Sequence, residues 1–110
     1  MPGIAFYIKD RAGRFIALNQ KTCEYCGVAQ EVDALGKTDH DFFPSSNAES
    51  YRADDFAVME SGQPILNRIE SEPHQAGSDR LVVTNKIPLR NAEGKVCLLY
   101  TSDAADECSG

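Results

Sequence analysis

The sequence has no apolar run longer than a handful of residues, far short of a bilayer span, so no membrane segment is expected. It opens on no charged stretch followed by an apolar one, so no secretory leader is expected. The expected setting is cytoplasmic, with the cysteines reduced. Basic residues are few: 11 Lys and Arg stand against 17 Asp and Glu, for a net charge of −6. No basic patch stands out, which argues against a nucleic-acid surface. There is no Ser-His-Asp order, no glycine loop to cradle phosphate and no paired-carboxylate motif, so no catalytic residue is assigned. No EF-hand pattern occurs, and no metal site is expected. Repeats, linkers and low-complexity segments are missing too.

What remains is an ordinary globular composition, 42% hydrophobic and 25% charged over 110 residues, enough for one domain. Ile4, Phe6 and Ile8 recur at period two and predict a strand. Lys9 to Arg14 reads as a turn, with Asp10 able to bond its own backbone. Phe15 to Leu18 then closes an antiparallel hairpin. Asn19 is a good N-cap for a short helix over 20–26, stopped by Gly27. A further helical turn is expected within 29–35, ended by Gly36.

Gly36 to Pro44 is dense in signals. Thr38 and Asp41 have the spacing of a capping box with Asp in the place of Glu. Phe42 and Phe43 can anchor the bend, and Pro44 stops it. Ser46 and Glu49 form a second box spacing, predicting the longest helix from about Asn47 to Glu60. At 100° per residue, Ala48, Tyr51, Phe56, Val58 and Met59 share an arc, with Asp55 near its middle. Beyond Ser61 to Pro64, Ile65, Asn67 and Ile69 alternate, as do Leu81, Val83, Asn85 and Ile87. A hairpin loop is expected over 72–79, and a fifth strand begins at Lys95 and Val96.

Asp55 is the most informative residue, because a carboxylate on an apolar face must find partners. One reading is a structural clamp, bonded to backbone, to Thr38 or to Arg52. The other is a ligand anchor. Asn67 and Asn85 each interrupt an apolar strand face. With Tyr51, Asp55 and Met59 they form the candidate ligand-binding set, lining a polar-tipped cavity between helix and sheet. Cys23 and Cys26 lack the further ligands a zinc site needs and read as small buried residues.

The ordered set resembles a PAS domain. Phe6 to Asn19 looks like that family's opening hairpin, and Leu35 to Pro44 like its middle segment. Asp54-Asp-x-x-Val58 with Ser61 to Pro64 looks like its long helix and exit. Thr84-x-Lys-x-Pro-Leu89 with Gly94 resembles its last hairpin. The resemblance implies an α+β fold: a five-stranded antiparallel sheet with helices packed on one face, in the order β-β-α-α-α-β-β-β. It implies a sensory or interaction module of a signalling protein. Typical hosts are sensor histidine kinases, diguanylate cyclases and PAS-bearing transcription regulators. A small-molecule ligand, a homodimer and an effector domain of the same chain are the implied partners. The exposed sheet face would be the relay, with Tyr7 and Phe15 as contacts. A dimerisation module without ligand, or a small enzyme on a similar scaffold, are the alternatives. No cofactor is expected: haem-binding members take an axial His from the long helix, which has none, and flavin photosensors need a Cys where His40 stands. Residues 97 to 107 resemble a translated sequencing adapter. The expected division is therefore a sensor domain over 1–96 and a non-native tail over 97–110.

Overall fold

The computed structural model describes residues 3–72 and 80–105. The loop expected over 72–79 falls, from 73 onward, outside them. Strands β1 (Ile4–Asp10) and β2 (Phe15–Leu18) form the opening hairpin. Helix α1 (Gln20–Cys26) follows, then two single 3-10 turns at Glu31–Asp33 and Asp39–Asp41. Helix α2 runs Ser45–Ser61, and β3 (Ile65–Glu72), β4 (Arg80–Arg90) and β5 (Val96–Ala105) complete the chain. The strands form one antiparallel sheet in the order β2-β1-β5-β4-β3. The α+β architecture implied by the sequence is the one observed.

Local chemistry explains the boundaries. The Asn19 side chain accepts from the Thr22 N–H and opens α1, and Gly27 closes it in the left-handed conformation at φ 75°. The Thr38 and Asp41 capping box forms as expected. The Ser46 and Glu49 box does not: α2 starts two residues earlier, behind Pro44, and Ser45 Oγ donates to Glu49 instead. The edge of β2 is covered rather than open. The Phe15 N–H donates to the Lys37 carbonyl, the Gly36 N–H to that of Phe15, and the Leu18 N–H to the Glu31 carboxylate. Turning the chain back there needs the positive φ of 81° at Gly36.

Two apolar clusters sit between the inner sheet face and the helices. Phe15, Leu18, Cys23, Cys26 and Ala34 form one, with Phe42 and Phe43 packed against it. Val58, Met59, Val96 and Leu99 form the other. Fully burying a side chain the size of Phe15 contributes about 2–3 kcal/mol.

The sheet reverses one expectation. Leu81, Val83, Asn85 and Ile87 do share a face of β4, but it is the outer one. The buried face carries Val82, Thr84 and Lys86. Along β5 the inner residues are Leu99, Thr101 and Asp103, and along β1 they include Ala5 and Lys9. Tyr7 and Phe15 also point inward, packed edge to face at 5.5 Å, so neither can be a contact of the exposed face. Phe6, Ile69, Leu81 and Ile87 occupy that face instead. No helix among the described residues is long and apolar enough to cross a membrane.

Candidate functional site

A chain of four buried charges crosses the interior. Lys9 Nζ on β1 donates to Asp39 at 2.5 Å and to Asp55 at 3.0 Å. Lys86 Nζ on β4 donates to the other oxygen of Asp55 at 2.7 Å and lies 3.5 Å from Thr101 Oγ1. Asp55 is 1% exposed, Lys9 1% and Lys86 4%. Two ammoniums and two carboxylates balance, so the desolvation each would suffer alone is offset by its neighbours. Burial would raise the Asp55 carboxyl, but Lys86 and Lys9 overcome it and hold it below its ordinary value. Burial would lower the Lys86 ammonium, and Asp55 overcomes that in turn and raises it.

The clamp reading of Asp55 is thus the geometry found, with different partners. Thr38 bonds Asp41, and Arg52 reaches the Arg11 carbonyl. Asp55 ties α2 to β1 and β4, and through Lys9 to the bend at Asp39.

Beside this chain lies a cavity of about 440 Å3, walled by α1, the Asp39 turn, α2 and the inner sheet face. Phe15, Phe43 and Tyr51 line its apolar side, and Lys86, Thr84 and Asp103 its sheet side. Of the five candidate ligand residues, only Tyr51 stands in this wall. Asp55 sits behind it, accepting directly from the wall residue Lys86 and sharing Lys9 with the wall residue Asp39. Met59 is packed in the second apolar cluster. Asn67 and Asn85 do come together, but away from the cavity. The Asn85 side chain accepts from the Asn67 N–H at 2.9 Å, and Asn67 is exposed with φ 55°. The physical reason is a bulge in β3. Ile65 pairs with Lys86 and Arg68 with Thr84, so the alternation shifts by one and Asn67 leaves the inner face.

Three wall residues had no signal in the hydrophobic pattern: Thr84, Lys86 and Asp103. Thr84 Oγ1 lies 2.9 Å from Glu70 Oε1 and 2.8 Å from Asp103 Oδ1. The Tyr7 hydroxyl donates to the other Asp103 oxygen at 3.4 Å. Burial pushes the Asp103 carboxyl up, Thr84 and Lys86 draw it down, and Glu70 adds to the rise, leaving it above the ordinary value. Cys26 also reaches the wall. Burial raises its thiol to about 12, and that of Cys23 rises as well, so both stay protonated and unreactive. His40 is exposed, and among the described residues no cluster of metal-ligating side chains occurs.

Asp103 and Asp55 act with opposite sign on stability. A raised folded pKa means the native state holds its proton longer than the unfolded chain. Stability from Asp103 is therefore gained as pH falls through its folded value. A depressed folded pKa at Asp55 means stability is present at neutral pH. It is lost as pH falls below the ordinary carboxylate value of 3.8. Urea midpoints against pH should first rise on acidification and then fall steeply below about pH 4. Asp103→Asn should remove the rise and keep the fall. A profile unchanged by that substitution would show that Asp103 ionises normally.

Residues 1–104 match the PAS fold family, and the chain belongs to it. Over 79 residues, 72% of its length, it is 36% identical to the uncharacterized protein y4lL of Sinorhizobium fredii, of which it spans only 9%. Its fold is similar to the Vibrio cholerae VqmA dimer, a LuxR-type receptor (TM-score 0.83, 22% identity, 97% of this chain and 48% of VqmA). VqmA bound to DPO is similar too (TM-score 0.81, 22% identity, 96% of this chain and 53% of that one). So is the PAS domain of the histidine kinase ThkA (TM-score 0.70, 19% identity, 94% and 99%). The chain thus spans about half of each VqmA chain.

Proposed function

We propose that this chain is a non-catalytic sensory module of a signal-transduction protein, taking a small organic ligand in the cavity beneath α2. The observation that carries this reading is the cavity itself. It is large enough for a ring-sized molecule, apolar on one side, and backed by polar groups already fixed in place. That VqmA, similar in fold, is bound to DPO supports a small-molecule ligand for this chain. The lysine and carboxylate chain gives the ligand something to act on. Lys86 faces the cavity, and its partner Asp55 belongs to α2, so occupancy bears on how α2 sits on the sheet. In the wall, Asp39 and Lys86 are ion-paired and Glu70 and Asp103 are hydrogen-bonded to Thr84, as in a binding site. Haem and flavin form no part of this reading. The output belongs to an effector domain of a longer protein, a kinase, cyclase or transcription regulator, working in the cytoplasm.

Ligand-observed NMR with DPO and a set of ring-sized fragments tests the site. Val82→Phe projects a ring into the cavity from the buried face of β4. Binding by the parent chain and its loss in a folded Val82→Phe variant is the expected result. Fragments that bind both alike would place the site elsewhere.

A second reading, dimerisation, rests on the outer sheet face. Phe6, Ile69, Leu81 and Ile87 are exposed there, and the Phe6 ring stacks with Tyr100 at 6.5 Å. A contiguous apolar face of this kind is the usual mark of an interface. Sedimentation should show self-association that Phe6→Glu abolishes without unfolding the chain. A parent chain that stays monomeric at millimolar concentration would remove this reading.

A further inference from the structure

The charges around the cavity do not cancel, and the imbalance says what kind of molecule it takes. Lys9 and Lys86 are balanced by Asp39 and Asp55. Lys21 is balanced by Glu24 at 3.5 Å. Arg68 lies between Asp54 at 3.2 Å and Glu70 at 3.3 Å, one cation for two carboxylates. Asp103 has no cation bonded to it among the described residues. Glu70, Asp54 and Asp103 all reach the cavity wall, so its carboxyl groups outnumber the cations that pair them.

The bridge at Thr84 shows how that surplus is held in the empty state. A hydroxyl has one hydrogen, and Thr84 Oγ1 stands within hydrogen-bond distance of two carboxyl groups. It can donate to one and must accept from the other. Arg68 stands 3.3 Å from Glu70 and no cation bonds Asp103 among the described residues, so the arrangement that satisfies both contacts has Thr84 donating to Glu70 and a proton shared by Asp103 and Thr84. Burial of Asp103 favours that proton. The groups facing this chain from the packed elements are Tyr7 on β1, Arg68 and Glu70 on β3, Lys86 on β4 and Asp54 on α2.

The aromatic side of the wall has the matching chemistry. Lys9 Nζ lies 5.4 Å from the centre of the Tyr7 ring and 5.1 Å from that of Phe15. Lys21 Nζ lies 5.7 Å from the centre of Tyr25. Three rings of the wall therefore already hold ammonium groups of the protein, as ring faces in an acidic surrounding do. Phe43 and Tyr51, packed edge to face at 5.5 Å, add apolar surface.

We propose that the cavity selects an aromatic ligand bearing a protonated nitrogen, an amine or basic heterocycle, whose N–H groups donate to Glu70 and Asp103. The ring lies against Phe43 and Tyr51, and the cation takes the place of the proton on Asp103, which leaves to solvent. This rests on the reading of the cavity as a ligand site, and the test separates the two.

The probes are tryptamine, tryptophol and indole-3-propionate, which share one ring and carry positive, zero and negative charge. The chain has no Trp, so the fluorescence of the bound indole is read directly. Tryptamine should bind at least about tenfold more tightly than tryptophol, the scale of one charge-assisted hydrogen bond, with the propionate weakest. Calorimetry in buffers of different ionisation enthalpy should show proton release with tryptamine and none with tryptophol. Glu70→Gln should lower the tryptamine to tryptophol ratio several-fold, the part that remains being held by Asp103. Equal affinity for tryptophol or the propionate would overturn the charge selectivity and leave the cavity as a ligand site. A tryptamine preference unchanged in Glu70→Gln would overturn the assignment of the carboxylate. Failure of all three probes to bind would overturn both readings together.

Discussion

Replacing Asp55 with Ala should cost about 3–5 kcal/mol, the penalty for leaving a buried charge without its partner. Here two charges are left. Lys9 keeps Asp39, but Lys86 loses the carboxylate it is bonded to and retains Thr101 at 3.5 Å. Total stability of a domain this size is about 5–15 kcal/mol, so the variant should be close to unfolding at room temperature. Asp55→Asn should be nearly as damaging, since an amide accepts from one ammonium but does not neutralise it. Lys86→Met, alone, should also destabilise, while the pair Asp55→Asn with Lys86→Met should recover part of the loss. Non-additivity of that kind is the signature of one coupled unit. Urea unfolding measures all four proteins. A loss below about 1 kcal/mol for Asp55→Ala would show that the carboxylate is hydrated rather than clamped between α2 and the sheet.

The partners of Asp55 explain what the sequence did and did not disclose. Its burial was legible from its place on the arc with Ala48, Val58 and Met59. Phe56, on the edge of the same arc, proves 58% exposed, because the helix turns a narrower face inward. The lysines were not legible. Alternation assigns the apolar residues of a strand to the interior. In β4 both faces are stocked well enough to be the inner one. Leu81, Val83 and Ile87 look inward by that rule, yet they face out, and the buried face holds Thr84 and Lys86. The inner face needs polar groups because it backs a cavity and a charged helix residue. The outer face is apolar as well, and it is on this that the dimerisation reading rests. The bulge at Asn67 was equally hidden. A single residue that shifts register leaves no mark in composition, and only its positive φ, a conformation Asn tolerates, is consistent in retrospect. The caps at Asn19 and Thr38 were readable because capping is local: side chain and backbone partner lie within three residues. The lysine chain joins positions 9, 39, 55 and 86, and no local rule reaches that far.

Ending the chain at Val96 should abolish folding. Little would be lost if residues 97–107 never docked, but Cys97 to Tyr100 are apolar enough to fill a fifth strand, and the sheet gives the physical case for that outcome. Strand β5 lies between β1 and β4, not at an edge. Its pairing runs from Ile4 opposite Ala104 to Asp10 opposite Leu98 on one side. On the other it runs from Val82 opposite Ala105 to Arg90 opposite Val96. Without it, β1 with β2 and β3 with β4 are separate hairpins, and an isolated hairpin is marginal in water. Leu99 is fully buried, Thr101 stands beside Lys86, and both would be lost. The sheet requires some strand in this place, whatever the origin of the residues that now fill it. Circular dichroism and a thermal melt of the 1–96 chain should show no cooperative transition. A melting temperature within about 5 °C of the parent, a change of only about 1 kcal/mol, would show instead that β1 and β4 close the gap without a fifth strand. Supplying residues 97–105 as a separate peptide should restore the transition in proportion to peptide concentration, because binding to the folded form stabilises it by mass action. A peptide of the same composition with Leu99 replaced by Asp should not, since its register would place a charge in the apolar cluster with Val58 and Met59.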